Sequence, residues 1–454
     1  MWFGIPTIRN WDSYWIILGL IASELLPAAE QLLRNLLGLV DAWGFVPNGA
    51  RTYYTNRSQP PLLSAMVLAV WSAGGDDQLL VDALPRLVAQ HHYWTGGNKA
   101  VALAGAPPSK SSLKSRGVQD EAGEVAGSTE RSGVFMLSRY HAELYGPRPE
   151  SYREDVHLVA RAGLEGPAAA QLYCDIASAA ESGWDFSSRW FVGGDSLEHT
   201  RTTQIVPADL NAWLYRMEKD IAAIAAHLGD TLLHDRYMEL AERRLAAINT
   251  LMWSADDHCW HDLELCDMEA SDASNACDTQ DPRSCGATPS SNSDGSGTQQ
   301  QRNMYTGRQR TGVYASNWVP LWCGCAESGS SQAASAVRGL LSSGLVREGG
   351  LLTSLYPSGQ QWDAPNAWPP LVHMAIEGLA ESGTAEGATA ASSLAGSWVR
   401  ANLAAWQATG HMHEKLDATR VGGVGGGGEY TPQVGFGWSN GVLLDLLRRQ
   451  WETP

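Results

Sequence analysis

Six loops in this chain concentrate acids, amides, guanidiniums and tryptophans between stretches of helical period. The first reads Asn10-Trp11-Asp12-Ser13-Tyr14-Trp15, and the second Val46-Pro47-Asn48-Gly49 leading to Arg57-Ser58-Gln59-Pro60-Pro61. Then come Gly146-Pro147-Arg148-Pro149-Glu150-Ser151 and Glu181-Ser182-Gly183-Trp184-Asp185-Phe186-Ser187-Ser188-Arg189-Trp190. The last two are Gln360-Gln361-Trp362-Asp363-Ala364-Pro365-Asn366-Ala367-Trp368, and Gly425 to Gly428 followed by Glu429-Tyr430. Taken singly, each has a dull reading. Asp12 and Asp363 precede apolar runs, as N-caps do, and Arg148 with Glu150 resembles a surface ion pair. Their recurrence points to chemistry. Carboxyl groups move protons, amides and guanidiniums bind hydroxyls, and an indole face suits the C–H face of a pyranose. That is the equipment of a carbohydrate site.

The glycine run before Glu429 has two further readings. A phosphate cradle needs a Lys-Ser or Lys-Thr after it, and here an acid follows, which repels phosphate. A flexible linker or a hinged loop that delivers Glu429 to a substrate remains.

Composition narrows the partners. The formal net charge is −17, which disfavours nucleic acid and anionic membrane surfaces. A neutral small molecule is compatible. Tryptophan is over-represented, with 19 against 6 Phe, and serves both cores and sugar sites. The cysteines, Cys174, Cys259, Cys266, Cys277, Cys285, Cys323 and Cys325, include no C-x-x-C, so a zinc site is not expected. The longest apolar run, Ile16 to Leu26, contains Glu24 and is too short to span a bilayer. The start shows no signal-peptide pattern. It is abrupt, which reads as truncation of a longer chain, and the compartment stays open.

The elements that must position these loops are helices. Helical period covers about Ser13–Leu26, Pro27–Gly44, Pro60–Trp71, Asp77–Tyr93, Gly166–Ser182, Pro207–Leu228 and Asp230–Trp253. It resumes over Ser331–Leu341, Pro365–Leu379, Thr384–Thr409 and Asn440–Arg449. β-type alternation is scarce. About a dozen helices in hairpin succession, without a fixed repeat, pack as a bundle or a closed toroid rather than a solenoid. The whole chain, 1–454, is expected to form one domain. Residues 107–132 and 266–303 are polar, low-complexity surface inserts to which no chemistry is assigned.

On these motifs the sequence resembles the trehalases, glycoside hydrolase family 37. Gln361 to Pro370 matches one family signature, and Trp11-Asp12-Ser13-Tyr14-Trp15 the end of another. The loops at Pro47-Asn48-Gly49, Arg57-Ser58-Gln59, Arg148-Pro149-Glu150, Gly183-Trp184-Asp185 and Gly428-Glu429-Tyr430 follow in the family's order. The likeness covers nearly everything except the two inserts. It implies an all-α (α/α)6 toroid that hydrolyses the α,α-1,1 bond of trehalose with inversion, Asp185 as general acid and Glu429 as general base. It also implies sugar subsites lined by Trp11, Asp12, Asn48, Arg57, Ser58, Gln59, Arg148, Glu150 and Gly183. Pro149, Trp362 and Asp363 belong to the same expected set. No metal or organic cofactor is called for. One departure is that the family's first signature places an Arg seven residues before its Trp-Asp, where this chain has Gly4.

For that chemistry Asp185 must be protonated and Glu429 ionised, with a water between base and anomeric carbon. Trp184 and Trp190 would give Asp185 apolar surroundings that favour its neutral form. Arg57, Arg148 and Arg189 would hold other acids ionised. The rival readings are a glucan hydrolase of the glucoamylase type and a carbohydrate-binding protein that has lost catalysis.

Overall fold

The computed structural model describes residues 10–105, 133–267, 304–428 and 432–449. Gly4, Arg9 and Glu429 lie outside the described residues, as does most of both inserts.

Local sequence explains how the helices start and stop. Helix α1 spans Asn10–Ala22 and α2 spans Leu26–Trp43. Pro27 sits in the first turn of α2, where its missing N–H costs nothing. Gly44 ends α2 at φ 78°, its N–H donating to Val40 O. The buried residues Ala29, Leu33, Leu36, Leu37 and Val40 form one stripe at helical spacing. Helices α3 (Leu63–Ser72) and α4 (Asp77–Thr95) follow, α4 capped by Asp76 on Leu79 N. Then come α5 (Tyr152–Arg161), α6 (Gly166–Glu181), α7 (Ala208–His227) and α8 (Thr231–Ala247), the last running into a π turn over Ile248–Met252. The series ends with α9 (Val319–Trp322), α10 (Ser331–Ser342), α11 (Pro369–Glu381), α12 (Ala385–Thr409) and α13 (Gly437–Arg448).

These helices make an (α/α)6 toroid. The inner ring runs α1, α3, α7, α9, α11, α13 and back to α1, each packing on the next. Around it, α2 packs on α1 and α3, α4 on α3 and α7, α8 on α7, and α12 on α11, with α10 against α12. Inner helix α7 is buried over most of its length, from Ala208 to Ala225. The buried apolar side chains form one connected cluster. No described helix is long and apolar enough to cross a membrane.

Several expected boundaries move. The first helix begins at Asn10 and stops at Ala22, so Asp12 lies in its first turn instead of capping it. Asp363 caps nothing either, because α11 starts at Pro369 behind Trp368. Strands are more numerous than expected. Residues Ala100–Ala104 (β1), Val134–Ser138 (β2), Ile205–Val206 (β3), Leu263–Asp267 (β6) and Met304–Gln309 (β7) form a sheet in the order β2-β1-β7-β6-β3. Its β1–β7 pair is parallel and the rest antiparallel. β4 (Trp253–Ser254) and β5 (Cys259–Trp260) make a separate ribbon. Cys266 and Asp267 belong to β6, so the second insert begins later than expected.

The ring closes where α13 lies along α1, and glycine makes that approach possible. A Cβ on Gly19 would sit 2.6 Å from Gly441 Cα, and one on Gly441 only 2.0 Å from Trp15 O. Gly441→Ala therefore forces the two helices apart, at an expected cost of about 1–3 kcal/mol. Gly38→Ala, on exposed α2 surface with nothing within 4 Å, should instead gain about 0.5–1 kcal/mol. Denaturant melts of the two variants check this; equal stability would remove the seam's importance.

Candidate active site

The acid loop leaves the C-terminal end of α6. Ser182 Oγ accepts from Trp184 N at 3.0 Å, and Gly183 turns the chain at φ 78° against Pro60. That conformation needs glycine. Trp184 then stacks on Trp362 (centroids 5.4 Å, 21°), which stacks on Trp368 (4.0 Å, 5°). Asp185 stands half-buried on this floor. Two backbone anchors fix its loop: Gln361 Nε2 donates to Asp185 O, and Trp362 N donates to Phe186 O at 3.0 Å. Arg148 and Lys415 both lie near enough to interact with the Asp185 charge.

The residues expected to line sugar subsites meet around the same loop. Arg57, buried, pairs with Glu150, and its guanidinium lies 5.2 Å over the Tyr54 ring. Arg148, also buried, grips Asp155 by a fork (Nη2–Oδ1 2.7 Å, Nε–Oδ2 3.0 Å) and lies 5.0 Å over Phe186. Arg148 and Glu150 are thus not a surface pair; each has a different partner. Pro149 opens the 3₁₀ turn Pro149–Ser151 that separates them. Asn48 donates to Ser58 O (3.2 Å) and Ala180 O (3.4 Å), tying its loop to the end of α6. Ser58 N donates to Glu181 and Ser58 Oγ to Val46 O, while Gln59 Oε1 accepts from Trp11 N at 3.3 Å. Trp11 is buried edge-on to Trp15 and Trp213, with Asp12 beside it in the sequence. The buried Trp11 Nε1 and Arg57 Nε have no hydrogen-bond partner among the described residues.

Asp363 takes a different part from the one expected. It is fully buried, and its carboxylate accepts from Ser187 Oγ (2.9 Å), Ser188 N (2.7 Å), Ser188 Oγ (3.1 Å), Ser354 Oγ (2.8 Å) and Ser358 Oγ. Burial pushes its pKa up against those donors. With its lone pairs occupied inside the protein, it ties the acid loop to the 354–363 segment.

The glycine run is docked on the acid loop's support. Gly426 N donates to Asn366 Oδ1 (3.0 Å), Asn366 Nδ2 to Gly426 O (2.9 Å), and Gly428 N to Gly359 O (3.3 Å). A Cβ on Gly428 would meet Gln361 Oε1 at 2.7 Å, and one on Gly425 would meet Asn366 Oδ1 at 2.8 Å. Gly425 and Gly428 are glycine because the backbone there must lie flat on Asn366 and Gln361, the contact that a linker lacks. Gly428, the residue before Glu429, therefore sits on the side chain that holds the Asp185 carbonyl.

The trehalase family model matches residues 8–450. This chain belongs to the trehalase family. It is 38% identical to a probable trehalase of Oryza sativa subsp. japonica, over 97% of this chain and 70% of that protein. Trehalases of Arabidopsis thaliana and Homo sapiens match at 37% and 35%, over 97% of this chain and 62% and 64% of theirs. The chain thus spans about two thirds of the length of these relatives. Among solved structures it superposes on the neutral trehalase of Saccharomyces cerevisiae with TM-score 0.68 at 22% identity, covering 98% of this chain and 73% of that one. A mannosylglycerate hydrolase from Thermus thermophilus shares the fold at TM-score 0.56 and 16% identity, over 97% and 93%.

Within this trehalase-family site, two charged residues, Glu181 and Lys415, carry roles that the sequence motifs did not assign. Glu181, at the end of Ala-rich α6, accepts from Lys99 Nζ (2.6 and 2.7 Å), Tyr93 OH (2.7 Å), Ser58 N (3.0 Å) and His141 N (3.1 Å). Lys415, also buried, lies 4.7 Å over Trp368 and donates to Gln361 Oε1 at 3.4 Å. Burial brings its pKa down to about 8, against the raising influence of Glu414 and Asp185. The signals were an acid at the end of an Ala-rich helix and a lysine shortly before the glycine run. Elsewhere, His373, Glu377 and Asp445 could offer three metal-ligand atoms, but Arg449 already bridges Glu377 (2.6 Å) and Asp445 (3.0 Å).

Glu181 gives a pH prediction. Burial pushes its carboxyl up, but Lys99 and the other donors outweigh that and hold it below the usual 4.5. Its contribution is therefore present above that value and lost as pH falls through the depressed one. Glu181→Gln should cost roughly 1.5–3 kcal/mol at neutral pH, and the gap to the parent should close in acid. Denaturant melts from neutral pH down into the acid range check this; a gap that widens in acid would reverse the assignment.

Proposed function

We propose that this chain hydrolyses the α,α-1,1 bond of trehalose to two glucoses with inversion, Asp185 acting as general acid and Glu429 as general base. The carrying observation is the convergence of the acid loop and the glycine run on Gln361, which binds the Asp185 carbonyl and seats Gly428. An inverting pair needs its carboxyls about 6.5–9.5 Å apart, with room for one water. Asp185 gives its proton to the bridging oxygen as the C1–O bond breaks. Water attacks C1 from the opposite face, and Glu429 takes its proton. The indoles of Trp184 and Trp362 exclude solvent beneath the leaving oxygen.

Sugar hydroxyls are held by Arg57, Arg148, Glu150, Asn48, Asp12 and Gln59, with Trp11 as a wall. The unused N–H groups of Trp11 and Arg57 support this reading, since a buried donor needs an acceptor. Ser58 and Asp363 serve as positioning residues, because their polar atoms are taken up by protein partners. Gly183 and Pro149 set the loop paths. The chain acts as one catalytic unit with two surface inserts.

The test is glucose release from trehalose by the purified chain, with maltose and starch as controls and anomers resolved by NMR before mutarotation. One α- and one β-glucose per turnover is expected. Two α-glucoses would mean retention and remove the role given to Glu429. Release from starch instead of trehalose would favour the glucoamylase-type alternative.

A further inference from the structure

Beside the acid loop the rim carries a separate cleft of about 800 Å³. It is bounded by the acid loop's Ser188, the 191–195 segment, the base of the β6–β7 hairpin, and Tyr356 to Ser358. Asp185, Arg57, Arg148 and Trp362 are absent from its walls, so it is not the reaction centre described above.

Its chemistry selects a ligand class. Tyr356, 40% exposed, offers a ring face, backed by the buried Tyr314 ring 5.4 Å away at 35°. The charged lining is balanced: Arg308 and Arg310 against Asp195 and Glu264. Glu264 bridges the two guanidiniums at 2.7 and 3.1 Å. An ionic ligand would find no net counter-charge here, and the chain's charge of −17 repels anions further. A purely apolar ligand would strip water from Gln309, Thr311, Ser188 and four charged groups without replacing it. A neutral polyol avoids both penalties. Its hydroxyls can donate to the carboxylates and accept from the guanidiniums, while its C–H face lies on tyrosine. The size falls within the roughly 300–1,000 Å³ of small-molecule sites.

We propose that this cleft is a second binding site for a neutral mono- or disaccharide, outside the reaction centre. The choice of trehalose and glucose as probes rests on the proposed function. The test is calorimetric titration of Glu429→Gln, whose turnover of trehalose is expected to fall by about 10²–10⁴-fold, with each sugar. Two classes of site are expected for at least one sugar. Adding Tyr356→Ala should weaken one class up to about tenfold, the upper range for losing one aromatic face. Thr311→Trp, an exposed position filling the cleft, should abolish the same class. Neither change should alter kcat/KM on dilute trehalose in the otherwise unaltered chain. A single class of site, or two that both survive the cleft substitutions, overturns the second site alone. No sugar binding anywhere overturns the proposed function as well.

Discussion

Asp185→Asn is expected to lower kcat on trehalose by about 10²–10⁴-fold, the usual worth of a positioned general acid. The change keeps the side chain's size. It leaves the anchors of the loop in place, because Gln361 holds the Asp185 backbone carbonyl and Ser182 holds Trp184 N. The fold should therefore be unaffected, and melting curves should overlay those of the parent. Glu429→Gln should lose a similar factor by removing the base. The two variants separate on α-glucosyl fluoride, whose leaving group needs no proton. Asp185→Asn should keep much of its turnover on that substrate, whereas Glu429→Gln should not. Near-normal kcat on trehalose in Asp185→Asn would mean that the proton comes from elsewhere.

The largest loss of stability is expected from Arg189→Met. The Arg189 guanidinium is fully buried between two carboxylates, with Asp209 at 2.7 and 2.9 Å and Asp262 at 2.7 and 2.9 Å. It also lies 4.8 Å over Trp184 and 4.6 Å over Trp190, the indoles flanking the acid loop. Removing it strands two acids in the interior. Breaking one buried pair typically costs about 3–5 kcal/mol, so this variant should reach at least that range. Arg189→Lys should not rescue it, since an ammonium cannot form both forks. Denaturant unfolding provides the measurement, and a loss below about 1 kcal/mol, the scale of an exposed pair, would contradict the account.

What the sequence made legible was periodic or local. The apolar stripe of α2 and the helical period behind α4, α7 and α12 announced a bundle or a closed toroid, and the family resemblance chose the toroid. The resemblance of the Gln361–Pro370 segment to a family signature pointed to the family. The structure brings Trp11, Asn48, Arg57, Gln59, Arg148 and Glu150 to the neighbourhood of the Asp185 loop from three separate loops. The rest had no local trace. Helix α5 buries Asp155, Leu158 and Val159 at helical spacing but is short and opens on a polar run (Tyr-Arg-Glu-Asp), and α9 is a single turn, so neither stands out along the chain. A two-residue strand such as Ile205–Val206 cannot display alternation, and the longer Ala100–Ala104 is apolar throughout. Their identity comes from pairing, Ile205–Val206 with β6 and Ala100–Ala104 with β2 and β7, which is a long-range fact. The same holds for Asp363, whose role depends on serines that the chain brings from two directions. A carboxylate in a signature motif looks alike whether it faces a sugar or four serines.

The seam between Gly19 and Gly441 bears on how such a protein is made in the cell. Its two sides are separated by almost the whole described chain, so the contact is among the most non-local in the molecule. Ring closure must wait until the last inner helix has left the ribosome. Until then α1 has no α13 to cover its Trp15 and Ile16 side, and the inner ring stays an open arc with apolar flanks. Domains dominated by such late contacts fold slowly and pass through aggregation-prone states. Synthesis rate and chaperone supply, more than final stability, should then govern how much of this enzyme family's chain reaches its native form.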